Sequence, residues 1–238
     1  MTTIPRAQTG RRWVYVRRGF TLIELLVVVA IIAVTAAFLV GGANVDRRPA
    51  SLRSAQATLA NLISLARTRA GSAGQTSRIL LQVDPVSTVE PQRYLHYLVA
   101  QVQTATGWET ITDCRLGPGV YVVPGNFAVT PAGLFFDAAR WVRADGVSPL
   151  RSTALRASMV TTETINATVP EQWVSINFSV VGSTAQSGDI VLAMGVTRSP
   201  GTYSVGDSRV ELGNPEAVRG LTLSSYGVTA LIENRLSF

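Results

Sequence analysis

Lysine is absent from the 238-residue chain, which holds one cysteine, Cys114, and one histidine, His96. A lone cysteine excludes an intramolecular disulfide, so the fold cannot depend on one even in an oxidising compartment. A lone histidine excludes a multi-histidine metal site. His96 lies in the apolar run Tyr94-Leu95-His96-Tyr97-Leu98-Val99. As a catalytic base it needs a nucleophile and an orienting acid, which no motif supplies. Asp189 and Asp207 follow glycines, but no Asp-x-Asp-x-Asp-Gly calcium loop occurs. No metal, cofactor or catalytic constellation is expected, and the chain does not read as an enzyme. Asn166-Ala167-Thr168 is a glycosylation triplet read as a chance match.

Acidic residues are missing from the first 19 positions, which carry Arg6, Arg11, Arg12, Arg17 and Arg18. The formal charge of +6 comes mostly from that tail, because 16 arginines face 15 acids beyond it. The balance gives little electrostatic support for phosphate binding, and nucleic acid is not an expected partner. Arg140, Arg143, Arg151 and Arg156 make a local basic patch, read as a solvated face in preference to a DNA site. Internal repeats and low-complexity tracts are also lacking.

What the chain does have is one long apolar run. From Phe20 to Val40, only Thr21, Glu24 and Thr35 are not apolar. As a helix the run covers roughly 32 Å, about one hydrocarbon thickness. Arg17 and Arg18 precede it, which places the N-terminus in the cytoplasm and the bulk of the chain outside. A cleaved secretory signal has a shorter apolar region and a better small-x-small site than Val34-Thr35-Ala36. A plain anchor accounts for the length and the basic flank, but not for Glu24. A carboxylate at a membrane centre costs about 2.5–3.5 kcal/mol, and less near the interface.

Arg17-Arg18-Gly19-Phe20-Thr21-Leu22-Ile23-Glu24 before an apolar helix resembles the class III leader of type IV prepilins and pseudopilins. The resemblance implies cleavage between Gly19 and Phe20 by a membrane prepilin peptidase, which then N-methylates Phe20. It also gives Glu24 a role in subunit assembly. Cleavage creates an ammonium on Phe20, and Glu24 lies four residues on, roughly 6 Å along a helix axis. In a staggered filament the carboxylate of one chain can meet the ammonium of its neighbour, so two unfavourable charges become one pair that sets register.

Gly41-Gly42 weakens a helix by about 1 kcal/mol per glycine relative to alanine. Pro49 removes a helical hydrogen bond or starts a new segment. A kink, an extended stretch or a plain juxtamembrane linker is expected between Val40 and Ala50. Beyond it, Leu52, Ala55, Leu59, Leu62 and Ala66 recur at helical spacing, with Arg53, Arg67 and Arg69 off the stripe. Gly71-Ser72-Ala73-Gly74 ends that helix. Strands are expected at Arg78–Val83, Tyr94–Gln103, Val120–Val123, Leu134–Phe136, Trp173–Val181, Asp189–Met194, Ala217–Ser224 and Val228–Ile232.

Leu62-Ile63-Ser64-Leu65-Ala66-Arg67-Thr68-Arg69-Ala70, followed by the strand from Arg78 to Val83, resembles the GspH/FimT branch of this family. Ile176 to Leu192 and Arg219 to Gly227 match its later strands more loosely. DNA-binding members carry Gly-Arg-x-Arg near the C-terminus; here Gly227 is followed by Val228-Thr229-Ala230, and both arginines are missing. The middle, about residues 84–170, is larger than the branch leads one to expect and is where system-specific surface can sit.

The resemblance implies an α+β, pilin-like fold, with a long N-terminal transmembrane and amphipathic helix packed on an antiparallel β-sheet domain. Its divisions are a leader at 1–19, a transmembrane helix at 20–42, a stem helix at 43–74 and a periplasmic β-rich domain at 75–238. It implies an H-type minor pseudopilin of type II secretion, single-pass in a bacterial inner membrane and assembled with other pseudopilins. The alternative is a minor type IV pilin acting in pilus assembly or DNA uptake.

Overall fold

Helix α1, Arg48–Ala73, is where the apolar stripe becomes a structure. The computed structural model describes residues 22–23, 25–32, 48–84, 91–123, 125, 141–198 and 210–238. The chain divides into two units, Met1–Asp46 and Arg47–Phe238. In the first unit, residues 22–23 and 25–32 are helical.

Pro49 falls in the first turn of α1, where its missing N–H has no helical acceptor to lose, so it starts a segment. Gly74, at φ +59°, ends the helix in a left-handed residue. The Gln75 N–H then donates to the Ala70 carbonyl at 3.2 Å, closing a Schellman-type cap. All five expected stripe residues are buried, joined by Ile63 and Ala70, while Arg53, Arg67 and Arg69 are exposed.

Among the described residues, ten strands form two antiparallel sheets. The first runs β3–β2–β1–β6–β5, with β1 Ser77–Gln82, β2 Tyr97–Thr104, β3 Gly107–Arg115, β5 Val160–Glu163 and β6 Glu171–Phe178. The second runs β10–β9–β7–β4, with β4 Val120–Val123, β7 Gly188–Thr197, β9 Val218–Leu223 and β10 Thr229–Ile232; β8, Val210–Leu212, pairs with β7. Helix α1 contacts strands of both sheets. Its stripe shares one core with Ile79, Leu81, Leu98, Val174 and Ile176 of the first sheet and Ile190, Leu192, Leu221 and Leu223 of the second.

Two buried polar side chains fasten the helix. Gln56 Nε2 donates to the carbonyls of Gly220 on β9 and Ile232 on β10, the latter at 2.8 Å. Ser77 Oγ donates to the Ala66 carbonyl at 2.7 Å. Gly220 is required here, because a Cβ would lie 2.2 Å from the Ile190 carbonyl oxygen.

The structure moves some expected strands and adds others. β2 begins at Tyr97, not Tyr94, because Leu95 takes φ +56° and breaks the run. β6 stops at Phe178, not Val181, because the Gly182 N–H closes a turn onto the Ser179 carbonyl at 2.7 Å. β3 and β5 carry largely exposed polar residues at the two edges of the first sheet, and β8, with three residues, is too short to show a period. Leu134–Phe136 lies outside the described residues, as does most of the expected break before Ala50.

Residues 84–170 are not merely added surface. They supply β2 to β5 and send Trp141, Leu150, Ala154 and Leu155 into the core. Buried Ser152 Oγ donates to the Val123 carbonyl and accepts the Val191 N–H at 2.9 Å, which ties the segment to β4 and β7.

Leu59 is buried against both sheets. Replacing it with alanine should lower the unfolding free energy by about 2–5 kcal/mol, against less than about 0.5 kcal/mol for Arg53→Ala on the exposed face. Chemical denaturation of the two variants checks this contrast.

Candidate functional site: the N-terminal segment and the head

Gly19, Phe20 and Glu24, the three residues expected to carry processing and assembly, lie outside the described residues. Their described neighbours are helical and apolar. Leu22, Ile23, Leu25, Leu26 and Val27 to Val29, then Ile31 and Ile32, are 46–80% exposed. A contiguous apolar surface of that kind marks a contact with membrane or protein. Among the described residues no helix is both long and apolar enough to cross a membrane.

In the head, the residues weighed for chemistry have structural partners. His96 Nδ1 lies 2.7 Å from the Val120 carbonyl, and its ring is 5.5 Å from that of Tyr121. Burial pushes its pKa down; the Val120 bond opposes this and nearby Arg115 adds to it. The Cys114 thiol is pushed up to about 11, first by burial and then by the Asp113 charge, so it stays a thiol. Among the described residues no three His, Cys, Asp or Glu side chains gather into a metal cluster.

Asp189 is committed to Arg143 Nη2 at 2.8 Å and accepts the Thr222 hydroxyl at 2.8 Å. Asp207 and Arg140 lie outside the described residues. Arg143 is thus half-buried in an ion pair, which removes it from the expected basic patch, while Arg156 remains exposed. Asn166 Nδ2 donates to the Tyr97 hydroxyl at 2.9 Å, so the amide nitrogen of the glycosylation triplet already has an acceptor.

The C-terminal hairpin sits where a basic motif was sought. Gly227 takes φ +72° in the β9–β10 turn, and a Cβ there would lie 2.3 Å from the Gly182 carbonyl oxygen. The two turns are tied by the Thr184 N–H donating to the Ser225 carbonyl at 2.8 Å. Val228 and Ala230 are exposed and Thr229 is half-exposed. These positions present no charge.

Sequence reasoning missed two buried arginine networks. Arg78 meets Glu163 through both terminal nitrogens, the Nη1 bond at 2.7 Å, and donates to Gln101 Oε1 from Nε at 2.9 Å. Its guanidinium lies 4.0 Å from the Trp108 ring centroid. Arg93 donates to the carbonyls of Ile165 and Asn166, and its Nη1 is 3.5 Å from Glu171. The only available signal was an arginine inside an otherwise strand-like run, as at Arg78.

Residues 16–40 match the prokaryotic N-terminal methylation motif. Among solved structures, the chain is similar to the type IV minor pilin FimU of Pseudomonas aeruginosa, at 11% identity and TM-score 0.36, covering 78% of this chain and 90% of that one. It is also similar to the minor pseudopilin EpsH of the Vibrio cholerae type 2 secretion system. One EpsH structure gives 12% identity and TM-score 0.37 over 76% of this chain and 95% of that one. A second gives 14% and 0.36 over 77% and 94%. No curated protein sequence matches the chain.

A histidine whose pKa is lowered by folding binds its proton more readily unfolded. Its neutral state therefore supports stability fully above the ordinary value of 6.5, and that support is lost as pH falls below it. His96→Gln should lose less stability than the unchanged chain between about pH 7.5 and 5.5. Thermal melts across that range check the difference in slope.

Proposed function

We propose that this chain is a minor pseudopilin of the H type, a structural subunit of a type II secretion pseudopilus near its tip. The observation that carries the reading is the methylation motif at residues 16–40, which begins on the basic flank and spans the Gly19-Phe20 junction. In this reading, residues 1–19 are a leader, 20–42 a single membrane helix, 43–74 the stem and 75–238 a periplasmic head. Prepilin peptidase cuts after Gly19 and methylates Phe20. The chain performs no catalysis; it is a substrate of the peptidase and a part of a filament with other pseudopilins.

Glu24 is the residue that makes assembly selective. Alone in hydrocarbon it is unfavourable; opposite the Phe20 ammonium of an adjacent subunit, it has a partner in only one register. The exposed aliphatic residues at 22–32 give that register an apolar surface to close. The uncharged Val228-Thr229-Ala230 stretch, with a balance of only one positive charge beyond residue 19, favours secretion over DNA uptake.

Deleting the gene should abolish export of secreted proteins and leave twitching and transformation intact. The reverse phenotype supports the minor pilin instead. Restoring the gene as Glu24→Ala should give a processed, membrane-inserted chain that still fails in export; full rescue would remove Glu24 from assembly.

A further inference from the structure

One face of the first sheet is half filled and half open. Leu80, Tyr97, Val99, Ile165 and Trp173 close one half as a small second core. The other half is a groove of about 630 Å³, within the size range of ligand sites. Trp108 of β3, Arg78 of β1, Ser175 and Asn177 of β6, Thr161 of β5 and Ser158 just before β5 line it. The register puts Arg78 directly between Gln101 and Asn177, so the groove crosses the strands instead of following them.

We propose that this groove is a binding site for an uncharged oligosaccharide, with the Trp108 indole as its stacking platform. Three observations select that chemistry. First, among the described residues the groove offers no free charge. Arg78 is committed to Glu163 and Gln101 and covered by Trp108, so neither an anionic nor a cationic ligand is favoured. Second, the reachable polar groups are hydroxyls and an amide. Ser158, Thr161 and Asn177 are exposed, and the Asn177 side chain has among the described residues only a weak 3.8 Å contact to the Met159 sulfur. Third, Trp108 is 38% exposed beside these groups, giving an aromatic surface next to donors and acceptors. A sugar ring has an apolar face to stack and a polar rim to hydrogen-bond, which matches this combination.

An added peptide strand fits less well. β1 is paired on both sides, and where β6 runs past its β5 partner at Val174, the Gln186 side chain already accepts the Asn177 N–H at 2.9 Å and donates to the Ser175 carbonyl at 3.2 Å, so that backbone edge is taken. Recognition here must come from side chains. The glycan is therefore a partner separate from the filament contacts of the N-terminal segment.

Calorimetric titration of the full chain in detergent micelles with chitohexaose and cellohexaose tests this. Saturable binding of either sugar is expected, unchanged between about 50 and 500 mM salt, because no ion pair is made with the ligand. Trp108→Ala should weaken it about tenfold, and Trp108→Phe should largely restore it. Asn177→Trp, which leaves Trp108 and Arg78 in place and fills the groove, should weaken it as well, with circular dichroism unchanged. Failure of both sugars to bind overturns the proposal. So does binding that survives both Trp108→Ala and Asn177→Trp. Capture of a second pilin-like subunit through Asn177→Cys, with neither sugar bound, assigns the groove to a protein contact instead.

Discussion

One face of α1 holds the head together. Leu52, Ala55, Leu59, Leu62, Ile63, Ala66 and Ala70 are the surface that the two sheets share. Full burial of a leucine contributes about 1.5–3 kcal/mol, and total stability for a domain is about 5–15 kcal/mol. Three leucines on one stripe are thus a large fraction of the margin. The small residues matter as much as the large ones, because Ala55, Ala66 and Ala70 let sheet side chains approach the helix axis. Gln56 and Ser77 then set the depth and rotation of that contact through bonds to backbone carbonyls. Both polar groups are buried, so a misplaced helix would leave them unsatisfied.

The outer face of the first sheet is organised on a different principle. There arginines take places that aliphatic residues usually hold. Arg78 and Arg93 are each almost fully buried, and each is held by an acid, by oxygen acceptors and by an aromatic ring. Desolvation consumes much of what such pairs gain, so their main effect is on geometry. Arg93 binds two carbonyls of the loop that carries buried Ile165, and so holds the lid of the small second core. Arg78 props Trp108 at the rim of the groove. The same device closes one half of the face and leaves the other open.

The elements written in apolar periodicity were legible in the sequence. The α1 stripe matched residue by residue, and Val120–Val123 matched at both ends. β3 and β5 were illegible because edge strands keep polar residues where a central strand would need aliphatic ones. The start of β2 was misplaced because a positive φ at Leu95 follows from tertiary bonding and not from any glycine. The segment at 141–155 has little regular structure, so its buried Trp141 and Ser152 carried no period to read. The groove was invisible for a related reason: its lining comes from β1, β3, β5 and β6 and from Ser158, far apart in sequence. The methylation motif at residues 16–40 was the opposite case, a local pattern readable without coordinates.

That local site also carries the main functional claim. In the proposed reading, a glycine after two arginines, a new ammonium at Phe20 and a carboxylate four residues on would form one charge device, which requires that the chain be cut. Intact-mass and N-terminal analysis of the chain co-expressed with a prepilin peptidase measures this directly. The account predicts a mature chain that begins with N-methylated Phe20. A chain that keeps residues 1–19 in the presence of active peptidase would contradict it.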